Sequence, residues 1–183
     1  MTRADAELEF LKLCETPSDI NQHLAMIRAI CSHRFNVTEM WAKVVEFGVR
    51  SGNSTKAILA SGIDEYFGFD INPCAPDLPA FAKAFDVDFT FRQIDIRKLT
   101  TNDMPDRVDV VMIDSLHTFD QVNHELSLID PYECSFVIFH DTHTFAKHGE
   151  DGHPPGINKA INQFLDTHSS WTVFSHQTNN HGS

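Results

Sequence analysis

Two short stretches carry the residues most able to do chemistry. Asp114 and His117 stand in the order Asp-x-x-His at the end of the apolar run 108–113, and His140 and Asp141 close the apolar run 136–139. Asp114 and Asp141 are hard oxygen donors suited to Mg²⁺ or a similar divalent ion. Such an ion lowers the pKa of a hydroxyl, which is otherwise a poor nucleophile at neutral pH. His117, with an ordinary pKa of about 6.5, is largely neutral at pH 7 and able to take the proton. Taken alone it is more often an ordinary histidine near a helix start, and the Asp-x-x-His context and strand-end position are what favour the base. His140 has three readings that stay open: a ligand, a group behind a ligand, or a strand-end residue.

A third stretch runs from Val44 through Glu46, Gly48 and Gly52 to Ser54. It reads as a buried strand entering a glycine turn and then a helix, an arrangement that brings backbone close to a ligand. The spacing is Gly-x-x-x-Gly with a carboxylate two residues ahead. A dinucleotide site would favour Gly-x-Gly-x-x-Gly and would not set an acid beside a pyrophosphate. Glu46 calls instead for a cationic or hydroxyl-bearing partner.

The elements that must position these residues follow from periodicity. Residues 5–14 and 19–33 read as two helices, the second with Pro17 near its start and Ile20, Leu24, Ile27, Ile30 and Cys31 along one face. Six short apolar runs follow, at 44–47, 66–69, 87–92, 108–113, 136–139 and 171–175, separated by helical patterns at 53–60, 77–85, 119–129 and 156–167. This alternation predicts an α/β fold: a Rossmann-like, doubly wound, mostly parallel sheet with helices on both faces. Phe119, Val122 and Leu126 share a helical face and read as core. Residues 142–155 form a long irregular stretch rich in histidine, and His143, His148 and His153 are expected on a solvated loop over the pocket.

Placed in such a sheet, acids gather at the carboxyl ends of the strands: Glu46, Asp70, Asp114 and Asp141, with Asp95 just beyond the third. One aspartate there is commonly a cap or turn residue. Several converging on one rim, where open parallel sheets bind ligands, point to a site.

Composition narrows the partners. The chain has 183 residues and a formal charge of −12, which argues against a broad phosphate-binding surface and so against nucleic acid. Its length suits one domain, with 1–36 as a helical cover and 44–176 as the core. No apolar run has the length of a membrane helix, and the acidic start from Met1 to Glu7 lacks the apolar centre of a secretory signal, so a cytoplasmic location without membrane contact is expected. Cys14, Cys31, Cys74 and Cys134 are spaced irregularly and are expected as buried thiols.

From about Val44 onward the chain resembles class I S-adenosylmethionine-dependent methyltransferases. The resemblance rests on Glu46-x-Gly48-x-x-x-Gly52, on Asp70 closing Tyr66-Phe67-Gly68-Phe69-Asp70, and on Gln93-Ile94-Asp95. It implies that Gly48, Gly52 and Ser54 pack at the cofactor, that Glu46 lies near its amino-acid end, that Asp70 binds the ribose hydroxyls and Asp95 the adenine amine, and that Asp114 borders the same ligand. The segments 110–122 and 137–142 are similar to a branch containing macrolide and sugar O-methyltransferases and cephalosporin hydroxylase-like proteins. In its metal-dependent members an Asp-x-x-His unit supplies a ligand and a base. The resemblance thus implies Asp114 and Asp141 around a divalent metal, with His117 as catalytic base, and His140 is the further candidate ligand among its open readings. The macrolide enzymes carry an acid where this chain has His140.

The expected activity is O-methylation of a small hydroxylated molecule. A cofactor-binding protein without turnover and a nicotinamide-dependent oxidoreductase are the alternatives, the latter weakened by the missing Gly-x-Gly-x-x-Gly. The family's usual antiparallel seventh strand has no apolar run to form it. The sheet edge left uncovered predicts a homo-oligomer.

Overall fold

A computed structural model describes residues 1–32 and 42–179. Among them five strands form one wholly parallel sheet, β1 (Lys43–Phe47), β2 (Glu65–Asp70), β3 (Asp88–Gln93), β4 (Val110–Ile113) and β5 (Phe136–Phe139), in the order β3-β2-β1-β4-β5. The order reverses between β1 and β4, so the loops leaving these strands diverge and open a crevice.

Strand parity assigns the residues to two cores. Val44, Tyr66, Val110, Met112 and Ile138 face one layer, made by α1 (Arg3–Glu15), α2 (Leu24–Ser32), α3 (Asn53–Leu59) and α4 (Leu78–Ala84). Val45, Phe47, Phe69, Val111 and Ile113 face the other, where Val122 and Leu126 of α5 (Phe119–Ile129) and Ile157 and Ala160 of α6 (Ile157–Thr167) pack. Helices therefore cover both faces of the sheet.

Two expectations from the sequence are corrected. The second helix begins at Leu24 and not at residue 19, because Ser18 and Asn21 spend their polar groups on local bonds: the Ser18 amide donates to Asn21 Oδ1 (3.4 Å) and Asn21 Nδ2 to the Cys14 carbonyl (3.1 Å). Pro17 lies outside the helix, although Ile20 is still buried. The expected end of that helix at residue 33, and residues 33–36 of the N-terminal cover, lie outside the described residues.

The sixth run, 171–175, forms no strand. The Trp171 amide closes a turn on the His168 carbonyl (2.9 Å), and Phe164 holds both the His168 and Trp171 rings. The chain leaves the sheet there with Val173 65% and Phe174 77% exposed. Side chains tie it down: Phe174 meets Phe136 edge-on, and Asn179 Nδ2 donates to Gln22 Oε1 (2.6 Å). No antiparallel strand pairs with β5 among the described residues, and β3 and β4 start slightly later than the apolar runs suggest.

The four cysteines are free thiols, Cys31 buried and the rest half-buried. No helix among the described residues is long and apolar enough to cross a membrane.

Candidate functional site

The glycine turn is shaped by its neighbours in the sheet. Gly48 leaves β1 with φ of +90°, its amide donating to the Phe69 carbonyl (2.9 Å). A Cβ there would stand 2.1 Å from the Asp114 carbonyl oxygen, so β4's exit and the turn are in direct backbone contact. Asp70, at the end of β2, clamps the turn from the other side. Its Oδ2 accepts from the amides of Val49 (2.8 Å) and Arg50 (2.7 Å), and its Oδ1 from the amide (2.7 Å) and Nδ2 (3.2 Å) of Asn72.

Glu46 occupies a different place. It shares the parity of Val44, so its side chain points beneath α3, where it is fully buried. Ser54 Oγ donates to Oε1 (2.5 Å), and Thr55 Oγ1 (2.6 Å) and Tyr66 OH (2.5 Å) donate to Oε2. The hydroxyl partners that the acid calls for come from within the chain. Burial pushes the Glu46 pKa up to about 7, against the opposing pull of the three hydroxyls.

At the ends of β4 and β5 the acids and imidazoles converge. His117 Nε2 lies 3.3 Å from Asp114 Oδ1 and 3.5 Å from Asp141 Oδ2. His140 Nδ1 lies 3.2 Å from Asp114 Oδ1 and 3.6 Å from Asp141 Oδ2, while its Nε2 meets the Asp19 carbonyl oxygen at 3.2 Å. A carbonyl oxygen accepts only from N–H, which fixes Nε2 as a donor and leaves Nδ1 facing the two carboxylates. Burial alone would lower the pKa of His140, but the carboxylates of Asp114 and Asp141 outweigh it and raise the group to about 10. The same contest raises His117. In Asp114 burial pushes upward, and the two imidazoles win and lower it. Asp114, His140 and Asp141 each offer one ligand atom within 4.8 Å of the others. Two carboxylate oxygens and one imidazole nitrogen are donors able to hold a small divalent cation.

The loop carrying Asp114 and His117 is anchored from below by α5. Glu125 is fully buried; Ser115 Oγ and Gln121 Nε2 (2.8 Å) donate to its Oε1, and its Oε2 has no hydrogen-bond partner. Burial pushes Glu125 up to about 7, against these two bonds.

Gly48, Asp70, Asp95, Asp114, His117 and Asp141 line one cleft of about 630 Å³ at the carboxyl ends of the strands. Glu46, Gly52, Ser54 and His140 sit behind its wall. Asp95 caps the 3₁₀ turn Ile96–Lys98 and pairs with Arg97 through Nε (3.0 Å) and Nη2 (2.9 Å). The cleft also recruits residues the sequence did not single out, among them Asp19, Arg50, Gln121, Phe145 and Glu150. Asp19 reaches Arg50 with its carboxylate (3.0 Å) and His140 with its carbonyl, a link across 121 positions that no local pattern announces. His143, His148 and His153 are exposed, as expected. A larger cavity of about 780 Å³ runs along β5, α6 and residues 170–176 and contains none of these candidates.

The buried acids make stability depend on pH. Glu46 has an ordinary value of 4.5 and a folded value of about 7, so between these pH values the folded chain binds the extra proton. Its contribution therefore falls as pH rises from about 4.5 to 7, by up to about 3 kcal/mol. Glu46→Gln, which stays neutral and retains hydrogen-bonding groups for the three hydroxyls, is expected to flatten that part of the Tm-against-pH curve. An unchanged slope in the variant would show that Glu46 is ionised throughout.

A family model described as a methyltransferase domain matches residues 45–142. The SAH-bound methyltransferase PaMTH1 of Podospora anserina shares the fold with a TM-score of 0.58 at 11% identity, over 97% of this chain and 85% of that one. The O-methyltransferase from Bacillus cereus in complex with SAH gives 0.50 at 13% identity, over 88% and 83%. No curated protein matches the sequence significantly. With the family match spanning more than half of its residues, from β1 through the end of β5, this chain belongs to the methyltransferase-domain family.

Proposed function

We propose that the chain transfers a methyl group from S-adenosylmethionine to a hydroxyl of a small molecule, assisted by a divalent ion, with Mg²⁺ the first choice. The observation that carries this reading is the meeting of Asp114, His117 and Asp141 in the same cleft as Gly48 and Asp70, at the reversal of strand order.

When bound, S-adenosylmethionine supplies a methyl carbon already activated by its sulfonium charge. Gly48 and Asp70 would hold it at the β1 and β2 exits, and Asp95 at the far end. Asp70 would accept from the ribose at Oδ1, where the 3.2 Å contact with Asn72 Nδ2 is the longest of its four bonds. Glu46, Gly52 and Ser54 shape the turn from behind. Asp114, His140 and Asp141 would hold the cation, whose charge favours the ionised hydroxyl. His117 would take the hydroxyl proton at Nε2. Asp19 and Phe145 also line the cleft.

Calorimetric titration with S-adenosylhomocysteine, with and without Mg²⁺, tests the reading on wild type and Asp70→Ala. Wild type is expected to bind, and the variant to bind about 10–100-fold more weakly, since charge-assisted hydrogen bonds contribute roughly 1.5–3 kcal/mol each. Absence of binding to wild type would sink the proposal. Turnover on a hydroxyl library should stop on chelation and return with Mg²⁺. Binding without turnover would identify a cofactor-binding protein without catalysis.

A further inference from the structure

We infer that Asp19 and Arg50 together receive the amino-acid end of the cofactor, Arg50 its carboxylate and Asp19 its ammonium. This role rests on the methyltransferase reading, in which Gly48, Asp70 and Asp95 leave both charges of that end without a counter-charge.

Strand order sets the direction in which the ligand lies. Asp95 follows β3, Asp70 ends β2 and Gly48 leaves β1, and these strands are neighbours in the order β3-β2-β1-β4. A ligand with its adenine at Asp95 and its ribose at Asp70 therefore carries its sulfur and amino-acid end toward the exits of β1 and β4. Arg50 belongs to the turn at β1's exit, where its φ is +49° and its amide donates to Asp70 Oδ2 (2.7 Å). Asp19 arrives from the stretch between α1 and α2, and both residues line the cleft. Glu46, the acid that the resemblance assigns to the amino-acid end, is fully buried and accepts from Ser54, Thr55 and Tyr66. The ammonium must find its counter-charge elsewhere.

Charge singles out the pair. The cleft is lined by the acids Asp19, Asp70, Asp95, Asp114, Asp141 and Glu150, against the cations Arg50 and Arg97 alone. An α-carboxylate entering there is repelled unless a cation takes it. Arg97 is already spent: its Nε and Nη2 fork onto both oxygens of Asp95 (3.0 and 2.9 Å), and its amide donates to Asp95 Oδ1 (3.1 Å). Asp19 and Arg50 meet instead through one contact, Nη1 to Oδ2 at 3.0 Å. A guanidinium has five N–H donors and a carboxylate two oxygens, so Arg50 Nε and Nη2 and Asp19 Oδ1 keep their capacity for a ligand. With the Arg50 side chain 78% exposed, the ion pair is weakly held in water and opens at little cost. A zwitterion placed between the two then gives each side chain a new opposite charge for the one it releases. Asp19 is anchored for this by its backbone, whose carbonyl oxygen lies 3.2 Å from His140 Nε2.

Calorimetric titration of the full chain with two probes reads the amino-acid end by itself. S-adenosylhomocysteine carries that end, whereas 5′-methylthioadenosine keeps the adenosine and the sulfur and lacks it. Wild type is expected to bind S-adenosylhomocysteine at least about 10-fold more tightly than 5′-methylthioadenosine. Asp19→Asn and Arg50→Gln should each weaken S-adenosylhomocysteine about 5–20-fold and leave 5′-methylthioadenosine within about twofold. Equal affinity of wild type for the two probes, equal weakening of both probes in the variants, or an unchanged affinity for S-adenosylhomocysteine in either variant would each overturn the inference; the second of these would show that the pair only shapes the turn. A wild type that binds neither probe sinks the methyltransferase reading with it, whereas tight binding of S-adenosylhomocysteine that the variants share sinks this assignment alone.

Discussion

Gly48→Ala is expected to lower the melting temperature by more than about 10 °C and to abolish binding at the cleft. The added Cβ would lie 2.1 Å from the Asp114 carbonyl oxygen, 2.5 Å from its carbon and 2.7 Å from the Ser115 amide nitrogen. All three are backbone atoms of β4's exit, with no flexible side chain to yield. The substitution also forces an alanine into φ of +90°. Overpacking and left-handed strain each cost roughly 1–3 kcal/mol, a large share of the 5–15 kcal/mol that stabilises a typical domain. Relief can come only by pushing the 114–117 loop away, and that loop carries both Asp114 and His117. Gly62→Ala is the control: its φ is +82°, but nothing lies within 4 Å of the added atom, so only the strain remains. Thermal melts of the two variants decide the matter, and equal losses would show that the close approach to Asp114 carries no weight.

Asp114→Asn is expected to reduce methyl transfer at least about 100-fold and to remove its response to Mg²⁺, with the fold retained. Asp114 Oδ1 lies within 3.3 Å of both imidazoles. Asparagine keeps the volume but removes the charge that raises His117 and His140, and it is a weaker ligand. Single-turnover rates in wild type and variant, each with Mg²⁺ and with chelator, provide the measurement. A variant within fivefold of wild type that still responds to Mg²⁺ would remove Asp114 from the proposed metal site.

The residues that line the cleft were legible because they stand at strand ends. Asp70, Asp95, Asp114 and Asp141 follow apolar runs, and a parallel sheet delivers such positions to one rim whatever the rest of the chain does. His117 came with them through its spacing from Asp114. The run at 171–175 misled for a reason the same logic supplies: an apolar run records burial potential but not pairing, and the turn at His168–Trp171 directs it off the sheet. The start of α2 misled because Ser18 and Asn21 bind locally, a competition that helical periodicity does not register.

Strand parity marks the boundary between the two kinds of knowledge. By itself the sequence determined the alternation of strands and helices, the family resemblance and the rim of acids, since these depend on local pattern and on the order of elements. Only the tertiary structure decided that Glu46 turns under α3 to meet Ser54, Thr55 and Tyr66, that Gly48 is required by Asp114's backbone, and that Asp19 holds His140 and pairs with Arg50. Each of these is a contact between segments brought together by packing, where a hydrogen bond or a clash depends on tenths of an ångström that no spacing along the chain encodes.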